Sequence, residues 1–282
     1  MKTGLILEGG AMRGMFTCGV LDVMLENGIS FDAGVGISAG AVFGINFKSR
    51  QIGRGIRYNM KYSRDPRYAG FRSLFKTGDY YGRDFCYYEI PDKLDPFDKK
   101  AFSENPMEFW IGATDVLTGK CVYHKCTDGG HGDIEWLRAS ASMPLFSKIV
   151  KCDGYSLLDG GVTDPIPFRF AEEIGCERNV AVLTQPDGYT KKKSSASFFM
   201  HRVYGKYAEF LKASDKRHIE YNHELYEIKK REKDGKYLVI RPSFPLGIKR
   251  IEKKPSELKR VYEIGRKECF LRINEIKEFL NQ

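Results

Sequence analysis

Three short stretches hold residues whose types and spacing can do chemistry. In "GVGISAG" (34–40), Ser38 stands two residues from Gly36 and two from Gly40, between an apolar run and "AVFGINF". Two roles fit. A serine at a strand-to-helix turn can cap the helix that follows. A nucleophile elbow instead sets the serine on a strained turn that pushes its hydroxyl outward, and it needs glycines because a Cβ at ±2 would collide with the neighbouring strand or helix. The second stretch, "LEGGAMRG" (7–14), is another glycine-rich junction between strand and helix. Such a turn aims free N–H groups outward beside the positive end of a helix dipole and so holds an anion, either a phosphate or an oxyanion. GxxxxGK[ST] is absent and GxGxxG is broken by Ala11, so the stretch fits a phosphate loop badly. As an oxyanion hole it needs two N–H groups. The candidate stretch is Gly9, Gly10, Ala11, Arg13 and Gly14; Gly10 and Ala11 supply the donors, and Arg13 either adds positive charge or pairs with a carboxylate. The third stretch, "LLDGG", puts Asp159 at a strand end before Gly160 and Gly161. Leu157 and Leu158 desolvate the carboxylate and raise its proton affinity, as a base acting on a hydroxyl requires. The competing role for Asp159 is a turn residue whose side chain bonds the next N–H groups.

The other candidates are weaker. His201, His218 and His223 follow Asp159 in the order Ser, Asp, His, but they stand in a lysine-rich helical stretch and read as surface residues. "CVYHKCTDGGH" gathers Cys121, His124, Cys126 and His131. Zinc sites favour paired ligands at short gaps, and alternation along "KCVYHKC" predicts His124 on the face opposite the two cysteines, so no metal is expected. Seven cysteines, an odd and scattered set, read as reduced thiols.

These turns need a scaffold to bring them together. Strand 3–10, helix 14–27, a strand ending at Ser38 and the helix "AGAVFGINF" give the alternation of a parallel sheet. Its first two strands are neighbours, which places Gly10 and Ser38 on the edge where such folds bind ligands. Residues 50–100 alternate arginines with aromatics without clean periodicity and read as a cap over the site or an ordinary long insertion. Further strands are expected in "MEFWIGATDV", "GKCVYHKC", "YSLLDGG" and "RNVAVLTQP", and helices at 133–143 and in "FRFAEEIG". After the hydrophilic "DGYTKKKSSAS" come a helical stretch over about 197–232, the strand "KYLVIRPS" and a last helix over 256–280. This divides the chain into 1–186, the candidate catalytic region, and 187–282, a basic and mainly helical region.

Composition limits the partners. Hydrophobic residues make up 42% of the 282 and aromatics 13%, as in a globular chain. Residues 1–185 carry 22 Lys and Arg against 23 Asp and Glu, and residues 186–282 carry 24 against 14, so all of the +9 charge lies in the last third. That excess suits a solvated face or an anionic lipid surface; no nucleic-acid motif accompanies it. At helical spacing, Phe198, Met200, Val203, Tyr204, Tyr207, Phe210 and Leu211 read as core before membrane anchor. No apolar run approaches the ~20 residues of a membrane helix, and "MKTGLILEGG" is a poor secretory signal. The expected location is the cytoplasm, with peripheral contact to the inner face of a membrane.

Taken together, "GGAMRG", "GISAG" and "DGG" resemble, in order and spacing, the hallmarks of the patatin-like phospholipases: an oxyanion turn with an arginine, a GxSxG elbow and a DG[GA] turn. "FTCGVLD" (16–22) and "ASASMPLF" (139–146) are similar to family stretches, and the resemblance covers about residues 3–185. It implies a three-layer α/β/α fold with a mostly parallel central sheet, plus a mainly helical C-terminal extension. It also implies a Ser38–Asp159 dyad without histidine, with Gly10, Ala11 and the helix behind Ser38 holding the oxyanion, an acyl-enzyme, and a lipid ester as substrate with no cofactor. One departure is Ala11, where many members carry a third glycine. Two other functions remain compatible with these residues: an acyltransferase or thioesterase using the same nucleophile, and a non-catalytic module in which the first turn holds an anion.

Overall fold

The computed structural model describes residues 1–281. Eight strands form one sheet: β1 (Thr3–Leu7), β2 (Ala33–Ile37), β3 (Glu108–Asp115), β4 (Lys120–Lys125), β5 (Val150–Cys152), β6 (Tyr155–Asp159), β7 (Arg178–Val182) and β8 (Tyr237–Ile240). The helices are α1 (Gly14–Glu26), α2 (Ala39–Lys48), α3 (Arg54–Tyr62), α4 (Phe71–Thr77), α5 (Lys99–Glu104), α6 (His131–Ser140), α7 (Phe168–Glu173), α8 (Ser197–Tyr204), α9 (Ala208–Lys233), α10 (Pro255–Leu271) and α11 (Ile273–Asn281), with a π-helical stretch at Phe85–Leu94. The strand order is β5-β6-β3-β2-β1-β7-β8, with β4 paired to β3 off that path. β8, β7, β1, β2 and β3 run parallel; β4 and β6 run antiparallel to β3, and β5 to β6.

Alternation along β1 explains the layers. Leu5 and Leu7 pack into one apolar core with α1, α2, α10 and the segment before β3, while Ile6, between them, packs into a second core with Phe168 and Ala171 of α7 and Tyr221 and Ile228 of α9. A strand with both faces buried turns successive side chains to opposite layers, so the fold is three-layered, α/β/α.

The pairing of β3 brings two distant strand ends together. β2 bonds residues 108–112 of β3, β6 bonds 113–115, and β4 spans 110–115 on the other edge. Since a strand has only two edges, β2 and β6 share one and approach each other head-on. Ile37 pairs with Gly112 and Asp159 with the adjacent Ala113. The residue after β2, Ser38, therefore meets the last residue of β6.

The C-terminal third contributes to the same sheet. β8 pairs with β7, and Leu258, Val261, Tyr262 and Cys269 of α10 bury into the core that holds α1. The expected helix over 197–232 is interrupted between Tyr204 and Ala208, and the last helix breaks at Arg272. The first interruption changes which side chains face inward. Met200, Tyr204, Phe210 and Leu211 are buried, but Phe198 and Val203 are 73% and 58% exposed. The expectation that all seven apolar residues of this stretch are core is corrected for these two, because the face set by α9 does not continue through the break.

Candidate active site

The backbone at Ser38 has φ 53° and ψ −121°, a conformation that side-chain-bearing residues rarely adopt. Holding it costs about 1–3 kcal/mol, which the surrounding packing must offset. The neighbouring glycines permit it: a Cβ on Gly36 would come within 2.7 Å of Ala41 N, and one on Gly40 would strike the carbonyls of Leu7 and Glu8. Ser38 makes no cap to α2 with its side chain. Its Oγ instead donates a hydrogen bond to Asp159 Oδ2 at 2.7 Å, in a buried setting.

Asp159 is fixed from its other side. Its Oδ1 accepts the N–H of Gly161 at 2.8 Å, and its own N–H donates to Ser142 O. The turn-residue role and contact with the serine thus coexist on one carboxylate, one oxygen for each. Burial pushes the Asp159 carboxyl above its ordinary range; the bonds from Ser38 and Gly161 and the nearby Arg217 and Arg250 oppose that rise. Gly160 must be small because a Cβ there would strike Gly112 O.

The 7–14 stretch lies against the serine. A Cβ on Gly9 would lie 3.2 Å from Ser38 Cβ, and one on Gly14 2.7 Å from Ala39 Cβ. The five positions differ in what they can donate. The N–H of Gly9 is taken by Pro165 O, that of Arg13 by Gly10 O, and that of Gly14 by the carbonyls of Ala11 and Met12. Among the described residues the N–H groups of Gly10 and Ala11 have no partner within the chain. The Arg13 side chain makes no ion pair among the described residues; its Nε reaches Thr184 Oγ1 at 3.4 Å. Ser38 N–H is itself occupied, while α2 starts directly after Ser38 and leaves the N–H groups of its first turn without helical partners.

Ala11 has φ 49°. The left-handed region costs an L-residue about 1–2 kcal/mol and glycine almost nothing, which accounts for a glycine preference at this position. Ala11→Gly is expected to raise the free energy of unfolding by about 1 kcal/mol and to keep both free N–H groups; an urea titration that shows destabilisation instead would contradict the strain.

Two residues of the site escaped the sequence reading. Ser140, at the end of α6, accepts the N–H of Ser38 at 2.8 Å and donates to Gly112 O at 2.6 Å, so it locks the elbow to β3. The only signal was its place in "ASASMPLF". Arg217, in α9, donates through Nε to Gly161 O, and no motif marked it. The histidines stand elsewhere: His201 bonds Asp215 at 2.8 Å and His223 bonds Arg169 at 3.0 Å, both at exposed positions. One expectation is corrected. The ligand atoms of His124 and Cys126 are on the same side, within 4.8 Å of each other and of an Asp133 oxygen, because Cys126 directly follows β4 at an even spacing from His124. Asp133 there bonds His124 with Oδ1 and accepts three backbone N–H groups, from 127, 128 and 129, with Oδ2, which is the wiring of a loop anchor.

Ser38 also lines an apolar cavity of about 910 Å³, counting its open mouth. Val42, Phe43 and Ile45 of α2 line it together with Tyr58, Tyr68, Tyr87, Ile90 and Phe97 from the 54–97 segment. That segment is pinned by Arg54, buried and bonded to Asn46 Oδ1 and Asp95 O, and by a two-pronged Arg57–Asp95 pair at 2.7 and 2.8 Å.

A serine on a strained turn, bonded to a buried aspartate between two open N–H groups and an apolar cavity, has the layout of an acyl-transfer site on an α/β sheet. The chain belongs to the patatin-like phospholipase family, whose model matches residues 5–172; a second model, a domain of unknown function (DUF6363), matches 207–281. Among individual proteins, it is 26% identical over 198 residues to the uncharacterized protein YjjU of Escherichia coli (strain K12), a match covering 66% of this chain and 52% of that one. It is 27% identical over 200 residues to Lysophospholipase NTE1 of Chaetomium globosum, covering 64% of this chain and 12% of the other. The matched chain thus spans about half the length of the first relative and a small part of the second. Among solved structures, VipD from Legionella pneumophila superposes with a TM-score of 0.46 at 10% identity, over 97% of this chain and 67% of that one.

Proposed function

We propose that this protein is a serine acyl hydrolase that cleaves ester bonds of phospholipids or lysophospholipids through a Ser38–Asp159 dyad. The observation that carries the reading is the 2.7 Å bond from Ser38 Oγ to Asp159 Oδ2 at the wall of the apolar cavity. Asp159 takes the hydroxyl proton, Oγ attacks the ester carbonyl, and the N–H groups of Gly10 and Ala11 hold the oxyanion. The alcohol leaves with the proton, and water activated by the same carboxylate releases the fatty acid. An oxyanion donor contributes about 10²–10³ in rate. The acyl chain lies in the cavity, with residues 50–100 as its cap. Every group the steps require is a side chain or backbone N–H of this chain. The test is a fluorophosphonate probe together with product analysis on phospholipid. Labelling at Ser38 with release of free fatty acid is the expected result; acyl products that form only with an added alcohol or CoA would mean a transferase, and an unlabelled folded protein would mean a binding module.

Peripheral contact with membrane lipid accompanies this reading. No helix among the described residues is long and apolar enough to cross a membrane. Phe71 and Phe75 on α4 and Phe198 and Phe199 on α8 are exposed, and the chain carries +9. Sedimentation with vesicles rich in phosphatidylglycerol is expected to show binding at low salt that weakens several-fold at 0.5 M salt, where charges are screened beyond a few ångströms. Equal binding at both would remove the electrostatic part.

A further inference from the structure

Four cations converge on the polar side of this site without a matching set of anions. Arg13 touches Thr184, which packs against Gly10; Arg217 bonds Gly161 O, two residues after the serine-bonded Asp159. The backbone of Arg250 accepts the N–H of Met12 at 3.3 Å. Lys191 is nine-tenths buried, with its Nζ 4.2 Å above the ring of Tyr221. Among the described residues no hydrogen bond or ion pair reaches that ammonium, and none of the four cations belongs to an ion pair. Two carboxylates lie nearby, and both are engaged otherwise. Glu8 accepts Tyr221 OH at 2.6 Å and Thr184 N–H at 2.5 Å, while Asp159 holds Ser38 and Gly161.

A largely buried lysine with no counter-ion, on the same side of the site as three arginines, is favoured by an anion that completes it. Burial first, and then Arg217, Arg13 and Arg250, push the Lys191 ammonium down to about 7, against which Glu8 alone pulls upward. Three of the four cations come from the region beyond residue 186, which otherwise has no part in the proposed chemistry.

We propose that Arg13, Lys191, Arg217 and Arg250 form a receptor for the phosphate of the substrate, and that it selects lipids with a terminal phosphomonoester head group over those with a choline or ethanolamine. The inference rests on the hydrolase reading above. A cationic head group would meet three guanidinium charges beside Lys191 and no free carboxylate, whereas a terminal phosphate offers oxygens to all four and favours the charged lysine. The apolar cavity then takes the acyl chain on one side of Ser38 and the cluster takes the phosphate on the other.

Two arms test this. In the first, Ser38→Ala protein, which cannot turn over, is titrated calorimetrically with glycerol 3-phosphate and, separately, with inorganic phosphate. Saturable binding of glycerol 3-phosphate that is lost in Ser38→Ala/Lys191→Met and weakened at least tenfold in Ser38→Ala/Arg250→Gln is expected. Arg250 is exposed, so its variant keeps the fold even if loss of the buried Lys191 does not. Inorganic phosphate binding as tightly as glycerol 3-phosphate would assign the cluster to free phosphate and overturn the head-group part; absence of any binding would overturn the whole. In the second arm, the kcat/KM ratio of lysophosphatidic acid to lysophosphatidylcholine is expected to exceed ten in the unaltered protein and to approach one in Arg250→Gln. A ratio near one before mutation, with ester turnover intact, refutes the selectivity while leaving the hydrolase standing. No turnover and no fluorophosphonate labelling refute the hydrolase, and the calorimetric arm still decides the receptor.

Discussion

Ser38→Ala is expected to reduce hydrolysis of p-nitrophenyl esters by about 10⁵–10⁶-fold and to abolish fluorophosphonate labelling, with the circular dichroism spectrum unchanged. The size follows from removing the nucleophile of a covalent mechanism, where the residual rate reflects only the oxyanion donors and binding. Two features confine the effect to chemistry. The strained backbone of Ser38 is held by the closeness of Gly36 and Gly40 to the neighbouring chain and by the Ser140 bond to its N–H, none of which involves the hydroxyl. What the fold loses is one hydrogen bond to a buried carboxylate, worth about 1.5–3 kcal/mol. Turnover within a hundredfold of the unaltered protein would mean that another group attacks the ester, and the proposed mechanism would fall.

The glycine turns and Asp159 were legible because each rests on a local rule: a glycine beside a strained serine, free N–H groups at a helix start, a carboxylate ending an apolar strand. Their assembly was legible only in part. Neighbouring parallel strands put Gly10 near Ser38 by a general preference of sheets, and β1 does pair with β2. The approach of Asp159 to Ser38 depends instead on β6 taking over the β3 edge where β2 ends, a three-residue antiparallel pairing with no sequence signature. Ser140 went unread for a similar reason, since nothing local tells a helix-end serine that its partner is an amide 102 positions away.

The last third was the least legible. Its lysines and arginines outnumber its acids, and a charge excess read along the chain looks the same whether it faces solvent or a site. Burial decides between them. Lys191 and Arg217 turn inward because α9 crosses behind the Asp159 turn and places Tyr221 against Glu8, whereas Lys212 and Lys229 on the same helix pair with surface carboxylates. The break after Tyr204 likewise resets the helical face, which exposes Phe198 and Val203 and buries Phe210.

Asp159→Asn is expected to lower kcat for a neutral ester by about 10⁴-fold, the loss seen when a base-side aspartate is made neutral in a hydrolytic site. The same change is expected to alter the pH dependence of stability. Burial raises the Asp159 carboxyl above 3.8, so the folded protein holds this proton more tightly than the unfolded chain. The stability that the protonated group contributes is complete below 3.8 and is lost as pH rises through the folded value. Asparagine has no such loss. The melting temperature of Asp159→Asn relative to the unaltered protein should therefore climb as pH rises from about 4 towards neutrality, whatever its offset at the acid end. Activity runs the opposite way, since only the ionised carboxylate accepts the Ser38 proton: the acid limb of kcat/KM on a neutral ester should lie above the usual carboxylate range. A limb at or below 3.8, or a melting difference that falls with pH, would show that the hydrogen bonds and Arg217 outweigh burial at this carboxylate. The price of keeping a base ionised inside the fold is thus readable twice, once as lost stability and once as gained turnover, in the same two proteins.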